Sequence, residues 1–430
     1  MIMLRFLTKL CFAFLLTAPA AAQDDLSNHY DLTARFDPAS GAIDVEGSMT
    51  IVADGPIERI ELLLNKSLVL RRFEYGDGLR PEVQRDVMIS GQALPRTQRL
   101  VLPLDAPLSR GDRLELRFAY SGRITTQDIE IGRGVVSPAW TEMTLEALWY
   151  PVFLEEPLVR SRLTLETPEG YEVVGPGEVR RLEDGRWLLD PSVPVAGRIT
   201  FAMSNAWISA REPLNEEISA VLYSVEPEPR ASEILGAVGD AFSAYEELFG
   251  PPRTNKREIR LLYPNRDPGL VWPNQAYSTG GDLIVMNIAD LQTQLDVLNH
   301  EVAHLWWSVG RAGTPDEFLS ESISEYLATR HGGQVWGADW LEHRRQAMRR
   351  ESEAIEGSLL EIDGVGGARQ PLLYQRGPTA LWALHDRLGQ EAMDALLVSA
   401  YQQRIDTLAA FVESIQARDG EAAEAFRDSL

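Results

Sequence analysis

The chain has 430 residues, 44% hydrophobic and 24% charged, with a formal net charge of −23. That length suits two or three domains with substantial cores, and the acidic excess argues against nucleic acid or an anionic membrane surface as a partner. Solubility accounts for the excess.

Residues 1–22 read as a secretory signal, with Arg5 and Lys9, an apolar run from Leu10 to Leu16, and Ala20-Ala21-Ala22 as the cleavage site. The run is too short to span a bilayer, so no stable membrane insertion is expected after its removal. Cleavage takes away two basic residues and no acidic ones, moving the charge from −23 to −25, and it removes Cys11, the single cysteine. An exported chain without disulfides relies on its core and on bound metal. The expected address is a bacterial periplasm, with secretion as the alternative.

Residues 23–210 read as a β domain. Apolar positions alternate at Ile43, Val45, Met49 and Ile51, at Leu114, Leu116, Phe118 and Tyr120, and at Leu163 and Leu165. Turn signals at Pro38 to Gly41, Gly76 to Gly78, Gly111-Asp112 and Glu183 to Gly185 separate these runs. The expectation is a mainly antiparallel sheet or sandwich.

Residues 211–430 read as a mainly α domain. Leu235, Val238, Phe242, Tyr245 and Phe249 share one helical face, ended by Gly250-Pro251-Pro252. Short strands are expected at Glu258 to Tyr263 and Asp282 to Met286, then a helix from near Asp290. Thr314-Pro315-Asp316-Glu317 reads as a capped helix start whose helix stops at Gly332-Gly333. Further helices are expected at Ala338 to Ile355, Gln375 to Leu388, Glu391 to Gln403 and Leu408 to Arg418.

The chemistry concentrates in His300-Glu301-Val302-Ala303-His304. On a helix, residues four apart project from one face, so His300 and His304 can reach one zinc ion with Glu301 beside its open side as general base. Zinc needs a third protein ligand. A third His in the His-Glu-x-x-His-x-x-Gly-x-x-His arrangement is excluded, because Trp307 and Gly310 occupy the Gly and His positions. The alternative is a carboxylate on the following helix, where Glu321 and Glu325 share a face and spacing alone does not choose between them.

The motif, together with Leu319-Ser320-Glu321 and Tyr374-Gln375-Arg376-Gly377, resembles the aminopeptidase N-like gluzincin metallopeptidases, a family that includes the leukotriene epoxide hydrolase. The resemblance implies a β domain followed by a thermolysin-like catalytic domain, one Zn2+ per chain and a peptide substrate. It implies Glu321 as the third ligand, Glu325 as its supporting neighbour, and Tyr374 as the hydroxyl that stabilises the oxyanion, with Arg376 standing where that family has Lys. The interval from His304 to Glu321 holds 16 residues, two fewer than is usual there, and the turn from Gly310 to Thr314 absorbs the difference. The stretch Trp149 to Pro157 is similar to a family segment that is preceded by a substrate-binding acidic or amide residue, which makes Glu146 a candidate. No counterpart of the family's large helical C-terminal domain is expected, which implies a more open cleft.

One departure bears on specificity. Where family aminopeptidases carry Gly-x-Met-Glu-Asn, with a Glu that pairs with the substrate amine, this chain has Ala276-Tyr277-Ser278-Thr279-Gly280. Thr279 stands in place of the Glu, and a hydroxyl cannot make the charge-assisted bond a carboxylate gives an ammonium. Asp282 is the candidate substitute, while Thr279 and Gly280 offer backbone for an extended peptide. The expected function is a zinc peptidase of aminopeptidase type. The alternatives are an endopeptidase or other hydrolase on the same site, or a non-catalytic peptide-binding module. No oligomeric state is assigned.

Overall fold

Along Asn28–Asp37 and Val159–Glu166 every second side chain is buried. Strands so patterned pack one face on a core and leave the other to solvent. The computed structural model describes residues 27–53, 55–75, 80–89, 92–129, 134–153, 159–190, 199–252, 257–263, 275–279, 282–287, 291–364 and 368–430. The signal, the turn at Gly76 to Gly78, Asp290 and Gly280 lie outside them. Among the described residues no helix is long and apolar enough to cross a membrane.

The two alternating strands belong to a seven-stranded sheet ordered Glu178–Arg181, Trp187–Asp190, Val159–Glu166, Asn28–Asp37, Ala42–Val52, Arg113–Arg123, Leu68–Tyr75. Its pairs are antiparallel except one: Val159–Glu166 runs parallel to Asn28–Asp37, with Leu163 opposite Leu32. A four-stranded sheet containing Ile57–Asn65 and Thr97–Leu108 contributes to the same core. Trp149 to Phe153 is buried there, held by Tyr120 and Tyr30 hydroxyls that donate to the carbonyls of Trp149 (2.8 Å) and Pro151 (2.9 Å). Leu154 to Pro157 lies outside the described residues.

A second core begins at Ile218 and runs to Leu430. Its sheet has five strands in the order Ile208–Pro213, Ser219–Ser224, Glu258–Leu262, Leu283–Asn287, Gln275–Thr279. The first two strands were not expected from the sequence, and they form an antiparallel pair. The two central pairings are parallel, and Gln275–Thr279 closes the edge antiparallel to Leu283–Asn287, with Thr279 opposite Leu283. Helix α1 (Ala231–Phe249) buries the apolar face read from the sequence. Helices α2 (Leu291–Ala303), α3 (Phe318–Trp336) and α4 (Ala338–Glu353) follow, and α2 packs against both α1 and α3.

The two cores meet at a charged clamp. Arg260 donates to the carbonyls of Gly175 and Gly177, both at 2.8 Å, and Asp282 accepts from the Gly177 amide at 2.9 Å while lying 3.6 Å from the guanidinium. Around the clamp pack Trp140, Val174 and Ala202 from one side, and Leu262, Leu283 and Val285 from the other.

Two helix limits differ from the expectation. Helix α3 does not stop at Gly332-Gly333 but continues to Trp336, ending at Gly337 with φ 93°. The glycines serve packing instead: a Cβ on Gly332 would lie 2.5 Å from the Trp340 ring, and one on Gly333 2.9 Å from Leu341. The chain also forms a last helix, Gly420–Ser429, capped by the Asp419 side chain and buried through Ala422, Ala423 and Phe426. Its apolar face consists mostly of alanines, too weak a periodic signal to stand out. Replacing Gly332→Val is expected to lower stability by about 1–3 kcal/mol through overpacking, measured by urea unfolding; an unchanged midpoint would contradict the close α3–α4 contact.

Candidate metal centre

Helix α2 carries His300 in its last turn, and His304 is the first residue beyond Ala303, where the chain leaves the helix through Leu305 and Trp306. Leu298 and Val302 bury the opposite side of the helix in the second core. The two imidazoles stand edge to face, with centroids 4.8 Å apart at 85°. Glu321 lies in the first turn of α3, which is entered through Thr314 as cap, Pro315 at the first position and a short 3-10 turn, Pro315–Glu317.

The three side chains converge. Glu321 Oε2 is 3.4 Å from His300 Nε2 and 3.9 Å from His304 Nε2. His300, His304 and Glu321 each offer a ligand atom within 4.8 Å of the others, the only such group of three His, Cys, Asp or Glu among the described residues. Glu325, one turn further along α3, takes the other side of the first imidazole, with Oε2 3.1 Å from His300 Nδ1. A spacing of four thus puts both carboxylates on one helical face, and the axial offset separates them onto opposite nitrogens of one ring. His304 Nδ1 is 2.9 Å from the Trp307 carbonyl, so both histidines keep Nε2 toward the shared point.

A further layer holds Glu325. Arg344 on α4 donates to Glu325 Oε1 at 2.7 Å, and its Nε lies 3.4 Å from Asp296 Oδ2, one turn before His300. Sequence reading singled out neither residue. Asp296 shares a helical face with His300 and was legible by spacing, whereas Arg344 arrives from another helix and carries no local signal.

The charges set one another. Burial alone pushes His300 down, but hydrogen bonds to Glu321 and Glu325 reverse this and hold its imidazole well above the ordinary value. Burial pushes Glu321 up, yet the His304 charge and the His300 hydrogen bond keep its carboxyl far below the usual range. Burial and the charge of Glu325 push Asp296 up to about 7, against the pull of Arg344 and His300.

Tyr374 sits in a π-helical turn, Leu372–Arg376, just before the helix Gly377–Leu388. Its hydroxyl donates to Glu321 Oε2 at 2.5 Å, and its ring stacks on His300 at 5.4 Å and 24°. Glu301, which follows His300 in the chain, is buried.

The other sequence candidates lie in different surroundings. Asp282 is buried in the clamp with Arg260 and Gly177, so its carboxylate is already engaged. Arg376 donates to the carbonyls of Ser352, Ile355 and Gly357 beyond and at the end of α4, which makes it a helix-terminus ligand here. Glu146 is half-buried on a 3-10 turn; the fully buried carboxylate of that stretch is Glu142, on the strand Thr141–Met143. Thr279 ends the edge strand, which lies against α2.

Solved structures share this fold. A mutant of the M1 zinc metallopeptidase from Deinococcus radiodurans matches with a TM-score of 0.64 and 18% identity, covering 94% of this chain and 94% of that one. The fold is that of the M1 zinc metallopeptidases. A two-domain M1 zinc metallopeptidase mutant bound to L-arginine matches at TM-score 0.67 and 17% identity, over 94% of this chain and 93% of that one. Yeast LTA4 hydrolase in complex with bestatin matches at 0.65 and 15% identity, over 93% of this chain and 65% of that one. No protein-family model matches the sequence, and no curated protein does, so the likeness is one of fold.

The pH dependence of metal binding follows from the shifts. His300 must lose its proton to act as a ligand, and its raised value keeps it protonated above the ordinary range near about 6.5. Glu321 stays ionised throughout. Apparent divalent-metal affinity is therefore expected to climb by about tenfold per pH unit from about pH 6.5 upward, measured by competition with a chromophoric chelator. A flat profile over that range would contradict the carboxylate hold on His300.

Proposed function

We propose that this chain is a zinc-dependent peptidase that holds one Zn2+ through His300, His304 and Glu321 and releases residues from the amino termini of short peptides. The observation that carries the reading is the convergence of two Nε2 atoms and one carboxylate oxygen, with both Nδ1 atoms engaged behind them. Ligand atoms on one tetrahedral zinc stand roughly 3.4 Å apart. The separations of 3.4 and 3.9 Å suit that ion with small side-chain adjustment. Two imidazoles and a carboxylate are also a donor set that zinc favours in catalytic sites.

When bound there, zinc supplies a Lewis acid for the scissile carbonyl and an acidified water at neutral pH. Glu301 accepts the proton of the attacking water and passes it to the leaving amine. Tyr374 turns its hydroxyl to the developing oxyanion, a contact of a kind worth about 3 kcal/mol of barrier. The edge strand Gln275–Thr279, lying against α2, offers backbone donors and acceptors along which an extended peptide aligns. The reading includes export to the periplasm after loss of residues 1–22, and a domain boundary near residue 210.

Exchanging Glu301→Gln is expected to lower kcat by about 10²–10⁴-fold with zinc stoichiometry unchanged. Full turnover in that variant would remove Glu301 from the proton path.

A second reading has its own support. Residues 268–281 contain no acidic side chain, and Asp282 is committed to Arg260 and Gly177, so this hairpin offers no free carboxylate to a substrate ammonium. That favours an endopeptidase or other hydrolase indifferent to the amino terminus. Matched free and N-acetylated peptides, with products read by mass spectrometry, decide between the two. Cleavage lost on acetylation is the expected result; equal cleavage of both forms overturns the aminopeptidase assignment in favour of the second reading.

A further inference from the structure

The turn that delivers Tyr374 has an acceptor its own backbone does not satisfy. In the π turn Leu372–Arg376 the Gly377 amide donates to the Leu372 carbonyl, five residues back. By the same step the Leu373 carbonyl looks to residue 378, which is proline and has no N–H. Ser322 supplies the missing donor: its Oγ, completely buried on α3 directly after Glu321, donates to the Leu373 carbonyl at 2.7 Å.

The contact is close enough to require glycine opposite it. A Cβ on Gly377 would lie 2.0 Å from Ser322 Oγ and 2.6 Å from Ser322 Cβ. A second tie joins the same two segments. Arg369 forks onto Glu317, with Nε donating to Oε2 at 2.6 Å and Nη2 to Oε1, and Glu317 also accepts from the Gly313 amide at 2.9 Å. Between these ties lies the single hydrogen bond from Tyr374 to Glu321.

We propose that Ser322 is a positioning residue, which fixes the Tyr374 hydroxyl relative to the metal-facing carboxylate by satisfying the Leu373 carbonyl that Pro378 leaves without a backbone donor. The proposal rests on Tyr374 acting as the oxyanion donor. Ser322 touches neither substrate nor metal in this role. It works through the residue next to each end of its hydrogen bond, Glu321 on one side and Tyr374 on the other. A misplacement of about 1 Å at a reacting group costs on the order of 100-fold in rate, so a tie of this kind has a kinetic consequence.

The test uses the full mature chain loaded with zinc, with Ser322→Ala, Tyr374→Phe and the double variant. Ser322→Ala is expected to lower kcat roughly 10- to 100-fold, with KM and zinc content unchanged, and to cost nothing further in the Tyr374→Phe background. An independent readout is the tyrosine 13Cζ resonance that disappears in Tyr374→Phe, followed in metal-free and loaded protein; in Ser322→Ala it is expected to shift or broaden. Additive losses in the double variant, or an unmoved resonance, overturn the proposal. Should Tyr374→Phe itself keep full kcat, the oxyanion assignment fails on its own account, and the resonance alone then decides the tie. If Ser322→Ala does not fold, Ser322→Gly removes the same hydroxyl and is held to the same outcomes.

Discussion

An imidazole can be aimed at a metal only if its remote nitrogen already has somewhere to go. That constraint organises the second core of this protein. His300 is gripped at Nδ1 by Glu325, which is gripped in turn by Arg344 from α4, while His304 Nδ1 lies against the carbonyl of Trp307. The cost of burying these charges is large unless each has a partner, and breaking one buried pair by deleting a member typically costs about 3–5 kcal/mol. The chain supplies the partners in sequence: two carboxylates four residues apart on α3, each taking a different nitrogen of one ring.

The same logic extends to the backbone. A π turn followed by proline strands a carbonyl, and a buried acceptor without a donor costs about 1–3 kcal/mol. Here the stranded group receives a hydroxyl from the helix that carries Glu321. The irregular turn that carries Tyr374 is thereby tied to α3 at two points, Ser322 on the Leu373 carbonyl and Glu321 on the Tyr374 hydroxyl. The stacking of its ring on His300 restricts it from a second direction.

Much of this was legible in the sequence because it is local. The spacing of His300 and His304, the capped start of α3 at Thr314, and the alternating strands of the first half all follow from periods of 3.6 and 2. The choice between Glu321 and Glu325 was not local; it depends on the distance between two helices. Arg344, Asp296 and Ser322 act across helix contacts and show no motif. Gly332-Gly333 misled for a different reason: glycine signals a helix end in isolation, but in a packed pair of helices it also marks where a Trp ring must approach. The hairpin at Ile208–Pro213 and Ser219–Ser224 was missed because its first strand is exposed and as polar as the connection, while the second carries only a short apolar run, Ala220-Val221-Leu222. Asp282 read as a free carboxylate because its partner Arg260 is brought to it by strand pairing, with Arg260 opposite Leu283.

That pairing has a thermodynamic consequence. The Arg260–Asp282 clamp closes on the loop Gly175 to Gly177, so each core supplies atoms the other needs to satisfy buried groups. Loss of the first half would leave Arg260 and Asp282 with only each other and bare the apolar surface at Leu262, Leu283 and Val285; loss of the second would bare Trp140, Val174 and Ala202. The clamp therefore couples the two cores, and dividing the chain between them would strip Arg260 and Asp282 of their Gly175 and Gly177 partners.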